Sequence, residues 1–253
     1  MDTSLLVIPA LLSAASIATG LARRHQAIKL AHLLDARSTS VAELLDLQAT
    51  VAEQMGAGSF SERVKLSGEI VCAEPLTAPW SGEPCVAHTN TTTSLMEVRE
   101  ERTKTDSEGR TSKEMSWERR EETLESLERR CSFELRQGNQ MLAIDPTEAE
   151  LELDKVFSDV EPPREGATFN TRPMGIRREE SILRPTGMVF VVAECSDSSG
   201  TLQLQAPDNA GLFVVSRGDE NEFSRSIRRW RRVWMVSTWV LISLAAASLL
   251  ASL

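Results

Sequence analysis

Few side chains in this chain are of types that carry out chemistry. Its 253 residues include 4 Cys and 3 His. Cys85 and His88 form a Cys-x-x-His, which is half of a metal-binding pattern or a thiol near a base. A tetrahedral zinc centre needs four ligands, and no second pair accompanies this one. Cys85 therefore reads as a small buried residue. Cys72, Cys131 and Cys195 stand far apart with no Cys-x-x-Cys among them. A Cys72–Cys85 disulfide is open in an oxidising compartment and disfavoured in a reducing one. Asn90-Thr91-Thr92 is a glycosylation sequon, irrelevant to a cytoplasmic domain. No Gly-rich phosphate loop, Gly-x-Ser-x-Gly elbow or His-Glu-x-x-His is present. Carboxylates abound, yet nothing in the sequence pairs two of them for acid–base work. The residues name no reaction: no catalytic, cofactor-binding or metal-binding residue is assigned.

The elements around these residues begin with two uncharged ends. Thr3 to Leu21 holds no charge, close to the roughly 20 apolar residues that cross a bilayer. Arg23, Arg24 and Lys29 follow at once. A cleaved signal peptide is the rival, but it wants positive charge ahead of its apolar core, and only Met1 and Asp2 come first. Val233 to Leu253 is likewise uncharged, preceded by Arg228, Arg229, Arg231 and Arg232. Trp230 and Trp234 suit an interfacial anchor, in a chain with no Tyr. The eight residues Arg23, Arg24, Arg228, Arg229, Arg231, Arg232, Trp230 and Trp234 are thus the candidate membrane-interface set. Positive charge stays on the cytoplasmic side, which places residues 23–232 there, in a bacterial inner membrane or an organellar membrane. Juxtamembrane arginines also attract anionic lipid headgroups. The net charge of -9 argues against a nucleic-acid partner.

Between the ends, Arg24–Ala36 keeps apolar residues at helical spacing. Ser40 and Glu43 have the spacing of a capping box, which predicts a helix over 41–55 stopped by Gly56 and Gly58. From Glu62 the period changes to that of strands: Val64 to Cys72, Cys85 to Val98, Ser132–Arg136, Met141–Ile144, Met188–Glu194, Thr201–Gln205 and Gly211–Val215. Frequent turn signals argue for an antiparallel sheet protein. Ser107-Glu108-Gly109 reads as a hairpin tip. Residues 99–130 carry both charges densely and fit either a solvated helix with i,i+4 pairs or long polar hairpin strands. Phe157–Gly166 reads as a loop. The fold class expected is α+β, a mainly antiparallel β domain with flanking helices held between two transmembrane helices. The divisions are a span at 1–22, helices at 23–61, the β-rich domain at 62–232 and a span at 233–253.

Several blocks resemble the GIDE family, a domain of membrane-anchored E3 ubiquitin ligases. Val64–Ile70 (VKLSGEI) is similar to its opening strand, and Pro75–Val86 (PLTAPWSGEPCV) to its Pro-Leu-x-(Ser/Ala)-Pro-x-Ser-x-x-Pro-Cys-Val stretch. Phe133–Leu135 with Ile144–Ala149, Gly175–Gly187 (GIRREESILRPTG) and Leu212–Ser216 resemble later segments, in the family's order. The resemblance implies a recognition or regulatory domain between two spans, located in the intermembrane space or its equivalent. It also implies a RING finger after the second span that recruits the ubiquitin-loaded E2 enzyme. A RING takes eight Cys or His ligands, whereas this sequence has seven such residues, scattered. The expected function is therefore a membrane-anchored, non-catalytic protein-recognition or regulatory module. The alternatives are a true E3 ubiquitin-protein transferase and a structural membrane-organising scaffold. The expected partners are membrane lipids and a protein: a RING or E2 protein, or a second copy of this chain. No cofactor is expected.

Overall fold

The structure is a computed structural model describing residues 21, 24, 27–105, 111–164, 166–209, 211–218, 220–221, 223–225, 229–230, 232–233, 235–238, 240 and 243. In chain order its elements begin with helix α1 (27–35), β1 (Arg37–Ser38), α2 (Val41–Met55) and β2 (Ser61–Val71). Next come the short strands β3 (Leu76–Thr77) and β4 (Pro84–Cys85) and the long strands β5 (Ala87–Thr105) and β6 (Thr111–Arg130). β7 (Phe133–Gln137), β8 (Gln140–Ile144), β9 (Glu150–Leu151), β10 (Asp154–Glu161) and β11 (Thr171–Leu183) follow. The last strands are β12 (Met188–Ser196), β13 (Gln203–Gln205) and β14 (Val214–Arg217). The chain divides into two compact units. One comprises Met1–Ile70, Glu134–Leu151 and Gly187–Leu253, and the other Val71–Phe133 and Glu152–Thr186.

The first unit is a small closed barrel. Its sheet runs β1-β2-β7-β8-β13-β12-β14-β9, and a further β2–β12 pairing closes the ring. β2 alternates as a half-buried strand should, with Val64, Leu66, Gly68 and Ile70 inward. Val64, Leu66 and Gly68 oppose Ala193, Val191 and Val189 of β12, register for register. Gly68 is required by the closure. A Cβ there would come within 2.7 Å of Leu135 Cγ and 2.8 Å of the Arg136 carbonyl, a close backbone approach of the kind glycine permits in barrels. β12 is buried on both faces. Its odd residues Val189, Val191 and Ala193 share the inward face with Gly68, Leu66 and Val64, while Phe190 and Val192 join Leu30, Leu33 and Ala36 of the α1 segment in a second cluster. Phe223 adds its ring at 5.5 Å from that of Phe190.

Helix α2 has the predicted bounds. Ser40 is its N-cap, its hydroxyl accepting the Glu43 amide at 3.2 Å, and Gly56 ends it with φ 95°. Val41 and Leu44 are the buried members of its apolar face, while Met55 is exposed. Asp197, at the end of β12, ties α2 and its exit to the barrel. Its carboxylate accepts Gln48 Nε2 at 3.0 Å, the Gly58 amide at 3.2 Å and the Phe60 amide at 2.9 Å.

The second unit is a four-stranded antiparallel sheet, β10-β11-β5-β6, with the β3–β4 pair beside it. The described residues of 99–130 are therefore antiparallel strands and not a helix, paired from Ala87↔Arg130 to Thr105↔Thr111. A bulge after Thr92 leaves Leu124 as the extra residue on β6. The stretch expected to be a loop, Phe157–Gly166, begins inside strand β10. That strand is mostly solvent-facing, so no hydrophobic alternation marks it. Cross-strand ion pairs lace the sheet: Arg120–Glu100 at 2.7 Å, Arg177–Glu121 at 2.5 Å and Lys155–Glu179 at 2.6 Å. Exposed pairs of this kind contribute about 0.2–1 kcal/mol each. Register here comes chiefly from the backbone ladder.

The predicted hairpin tip, Ser107-Glu108-Gly109, lies outside the described residues, as does nearly all of the span expected at 1–22. The expected span at 233–253 is described only at 233, 235–238, 240 and 243, all helical. Among the described residues no helix is long and apolar enough to cross a membrane.

Candidate functional site

The most elaborate polar arrangement in the second unit centres on Glu180, whose side chain is fully buried. The register of β11 against β5 sets Glu180 opposite Asn90 and Ile182 opposite His88. Glu180 Oε1 accepts the Trp80 amide at 3.0 Å and Asn90 Nδ2 at 2.6 Å, and Oε2 accepts the Ser81 amide at 2.7 Å. Because the Asn90 amide nitrogen is given to Glu180, its oxygen is left to accept. Its 2.6 Å contact with His88 therefore requires the His88 proton on Nδ1. Burial alone pushes the Glu180 carboxyl up. The hydrogen bonds from Ser81, Trp80 and Asn90 outweigh it and hold the group below the usual carboxylate range.

The object gripped by this carboxylate is the loop between β3 and β4. Two pairs, Leu76↔Cys85 and Thr77↔Pro84, close its base. The Ala78 amide donates to the Glu83 carbonyl at 2.9 Å, and Gly82, with φ 72°, donates back to Ala78 at 2.9 Å. Ala78 and Cys85 pack with Ile182 beneath it, and the Trp80 ring lies 5.9 Å from that of Phe157. Pro79, Gly82 and Pro84 are left exposed and Trp80 half-buried. A rigid, solvent-facing loop results. His88, Asn90 and Glu180 form a hydrogen-bonded chain, but His88 is 2% exposed and Asn90 5%, so no substrate reaches it and its role is to hold the loop. The sequon asparagine is thereby sequestered.

Strand β6 supplies the other notable surface. It is the edge of its sheet, and residues 119–129 are exposed throughout. Leu124 and Leu127 stand open among the charges at 56% and 47%. Among the described residues β6 has no strand on its outer side, and its dense charges are of the kind that screen a sheet edge against indiscriminate pairing.

The candidate membrane-interface residues fall partly within the description. Arg23, Arg228, Arg231 and Trp234 lie outside the described residues. Arg24 is helical and exposed. Arg229, Trp230 and Arg232 are exposed on the C-terminal helical segment. Arg225, Arg229 and Arg232 share with Val233, Val236 and Ser237 the lining of an open concavity of about 580 Å³. Of the thiols, Cys72 meets Cys131, at 3.8 Å between sulfurs, and not Cys85 by any hydrogen bond. Cys85 is fully buried, as expected of a small core residue. Among the described residues no three His, Cys, Asp or Glu side chains gather as a metal-holding group.

Sequence reasoning missed the roles of Glu180, Asn90 and Asp197. Glu180 sits in a run, RREES, that reads as solvated charge. Its one available signal was its place in the Gly175–Gly187 block, two residues before the apolar pair Ile182-Leu183. Asn90 was visible only as a sequon, and Asp197 only as part of a turn.

A closed barrel, a polar antiparallel sheet and a clamped Pro-rich loop define a β-rich domain with few helices. The family model described as GIDE, E3 ubiquitin ligase, matches residues 101–251, more than half of the chain. The protein belongs to the GIDE family. No curated protein and no solved structure matches it.

Proposed function

We propose that this GIDE protein is a membrane-anchored, non-catalytic recognition or regulatory module that contacts a protein partner through its four-stranded sheet. One observation carries the reading: β6 is an edge strand whose residues 119–129 are all exposed, with Leu124 and Leu127 set among Arg119, Arg120, Glu121, Glu122 and Glu125. A partner strand matched in charge gains main-chain hydrogen bonds along this edge, and the alternate side chains supply selectivity. The clamped loop at 75–85 offers a second contact in the same unit. Anchorage through uncharged segments at both ends is supported by the sequence pattern. The exposed Arg225, Arg229, Arg232 and Trp230 suit contact with anionic headgroups.

Cross-linking the full-length protein in membranes, with identification of what is captured, tests this reading. Leu124→Asp with Leu127→Asp should abolish capture while the protein stays folded and membrane-bound. Capture unaltered by both changes would overturn the proposal for β6. The family's description favours a second reading, ubiquitin transfer. Discharge of ubiquitin from a charged conjugating enzyme by the purified chain would establish it, and absence of discharge across a panel of such enzymes counts against it. Protease protection in sealed vesicles, together with alkaline extraction, decides anchorage and which side of the membrane the domain occupies.

A further inference from the structure

The four thiols fall into two classes. Cys195 is fully buried, and burial with the neighbouring Glu62 and Asp197 carboxylates pushes it up to about 12. Cys85 is fully buried as well, pushed up to about 11 by burial with Glu180 and Cys72 contributing. Both are shielded from reagents and held as neutral thiols, the profile of inert structural cysteines. Cys72 and Cys131 are different: both are only partly buried, and their sulfurs stand 3.8 Å apart. Each sulfur has a further contact, to a backbone carbonyl, and a weak thiol hydrogen bond of that kind is readily given up. Cys72 lies 4.0 Å from the Ser132 carbonyl, and the Cys131 thiol donates to the Val86 carbonyl at 3.4 Å. The Cys131 amide donates to that same carbonyl at 2.9 Å, which fixes its backbone.

The placement of the pair adds to the case. Cys72 directly follows β2 and Cys131 directly follows β6, 59 residues apart. They clasp the two ends of Val71–Phe133, one of the two chain segments of the second unit. From the observed separation, closure to a disulfide of roughly 2.05 Å needs a shift of about 1 Å at each sulfur. That is within the reach of side-chain torsion.

We infer that Cys72 and Cys131 form an intramolecular disulfide when the domain meets an oxidant of the disulfide class. The exchange proceeds in two displacements. The Cys72 thiolate attacks one sulfur of the oxidant, forming a mixed disulfide and releasing one thiolate. The Cys131 thiol, whose sulfur stands 3.8 Å from that of Cys72, then loses its proton to solvent and attacks Cys72 Sγ. The second oxidant thiolate leaves and is protonated. Two cysteine thiols lose two electrons and two protons, and one disulfide oxidant becomes two thiols. The inference stands on the geometry of the second unit alone and is independent of the recognition role.

The test uses the purified full-length chain incubated with oxidised glutathione, then denatured, alkylated and mapped by mass spectrometry. The expected result is loss of two of the four alkylatable thiols, a protein that stays monomeric on a non-reducing gel, and a peptide linking Cys72 to Cys131. Reductant should restore all four thiols. Cys72→Ser and Cys131→Ser should each abolish the linked peptide, and the latter should leave a glutathione adduct on Cys72. Four free thiols after prolonged oxidation would overturn the inference. So would a link involving Cys85, or a wild-type adduct on Cys72 that Cys131 never displaces. Mapping of the wild-type chain decides these outcomes even if a variant fails to fold.

Discussion

Replacing Glu180 is the most direct probe of how the second unit holds its loop. In Glu180→Ala the Trp80 amide, the Ser81 amide and Asn90 Nδ2 all lose their acceptor. Each stranded donor costs about 1–3 kcal/mol. Water entering the vacated space recovers part of that, which leaves a loss of about 3–5 kcal/mol, the scale of breaking a buried charged network. Glu180→Gln is the sharper variant. One amide oxygen can keep Trp80 and Asn90, but an NH2 replaces Oε2 and meets the Ser81 amide donor to donor. Loss of one charge-assisted bond predicts about 1.5–3 kcal/mol. Urea unfolding followed by Trp emission reads the loss, and amide exchange at Trp80 and Ser81 locates it. A Glu180→Gln protein within about 0.5 kcal/mol of wild type, a margin typical of ordinary surface changes, with Trp80 and Ser81 amides as protected as before, would refute the clamp. The pH dependence adds a second reading. The folded-state carboxyl is held below its unfolded value, so its contribution is present above that unfolded value, about 4.3. It is lost as pH falls through the folded pKa. Glu180→Gln should flatten that acid limb, which pH-dependent urea midpoints would record.

Gly68→Ala should destabilise the barrel by about 1–3 kcal/mol through overpacking, because the new methyl meets Leu135 and the Arg136 carbonyl; urea unfolding of the first unit measures it. Phe190→Ala should cost about 3–5 kcal/mol and loosen α1 and the Phe223 helical segment together, visible as loss of amide protection at Leu30 and Leu33. Asp197→Ala should release the Gly58 and Phe60 amides to exchange and lower the urea midpoint. With the Asp197 carboxyl held down by Gln48 first, against burial, and then by the Phe60 and Gly58 amides, its contribution too should vanish as pH falls through its folded value. Asp197→Asn removes the titration but not the shape, so its midpoint should be the less acid-sensitive.

Legibility in the sequence followed burial. The barrel strands were readable because one face is packed: Val64, Leu66 and Ile70 alternate with polar neighbours, and Met188–Glu194 is apolar on both sides. The capping residues Ser40 and Glu43 gave α2 its bounds. The second unit resisted because its strands owe little to hydrophobic alternation. Residues 99–130 carry charges at spacings that serve i,i+4 pairs in a helix as well as cross-strand pairs in a hairpin, and only the ladder to β5 decides between them. β10 was obscured in the same way. The clamp was hidden because Glu180 resembles its charged neighbours Arg178 and Glu179 in sequence, and is set apart only by the Trp80 and Ser81 amides that the β3–β4 loop brings to it.

The barrel's closing seam joins partners far apart in synthesis. Ser61–Glu69 of β2 pairs with Met188–Ser196 of β12, so when β2 leaves the ribosome its neighbour does not yet exist. At bacterial or eukaryotic elongation rates the wait is on the order of ten seconds. During that interval the complete second unit, whose β5–β6 ladder is local, can form first. β2 meanwhile exposes the alternating apolar edge that its partner later covers. Nascent chains of this protein should therefore pass through a long-lived half-built barrel, a natural client for chaperones. Truncations ending before Met188 should be recovered mainly as aggregates.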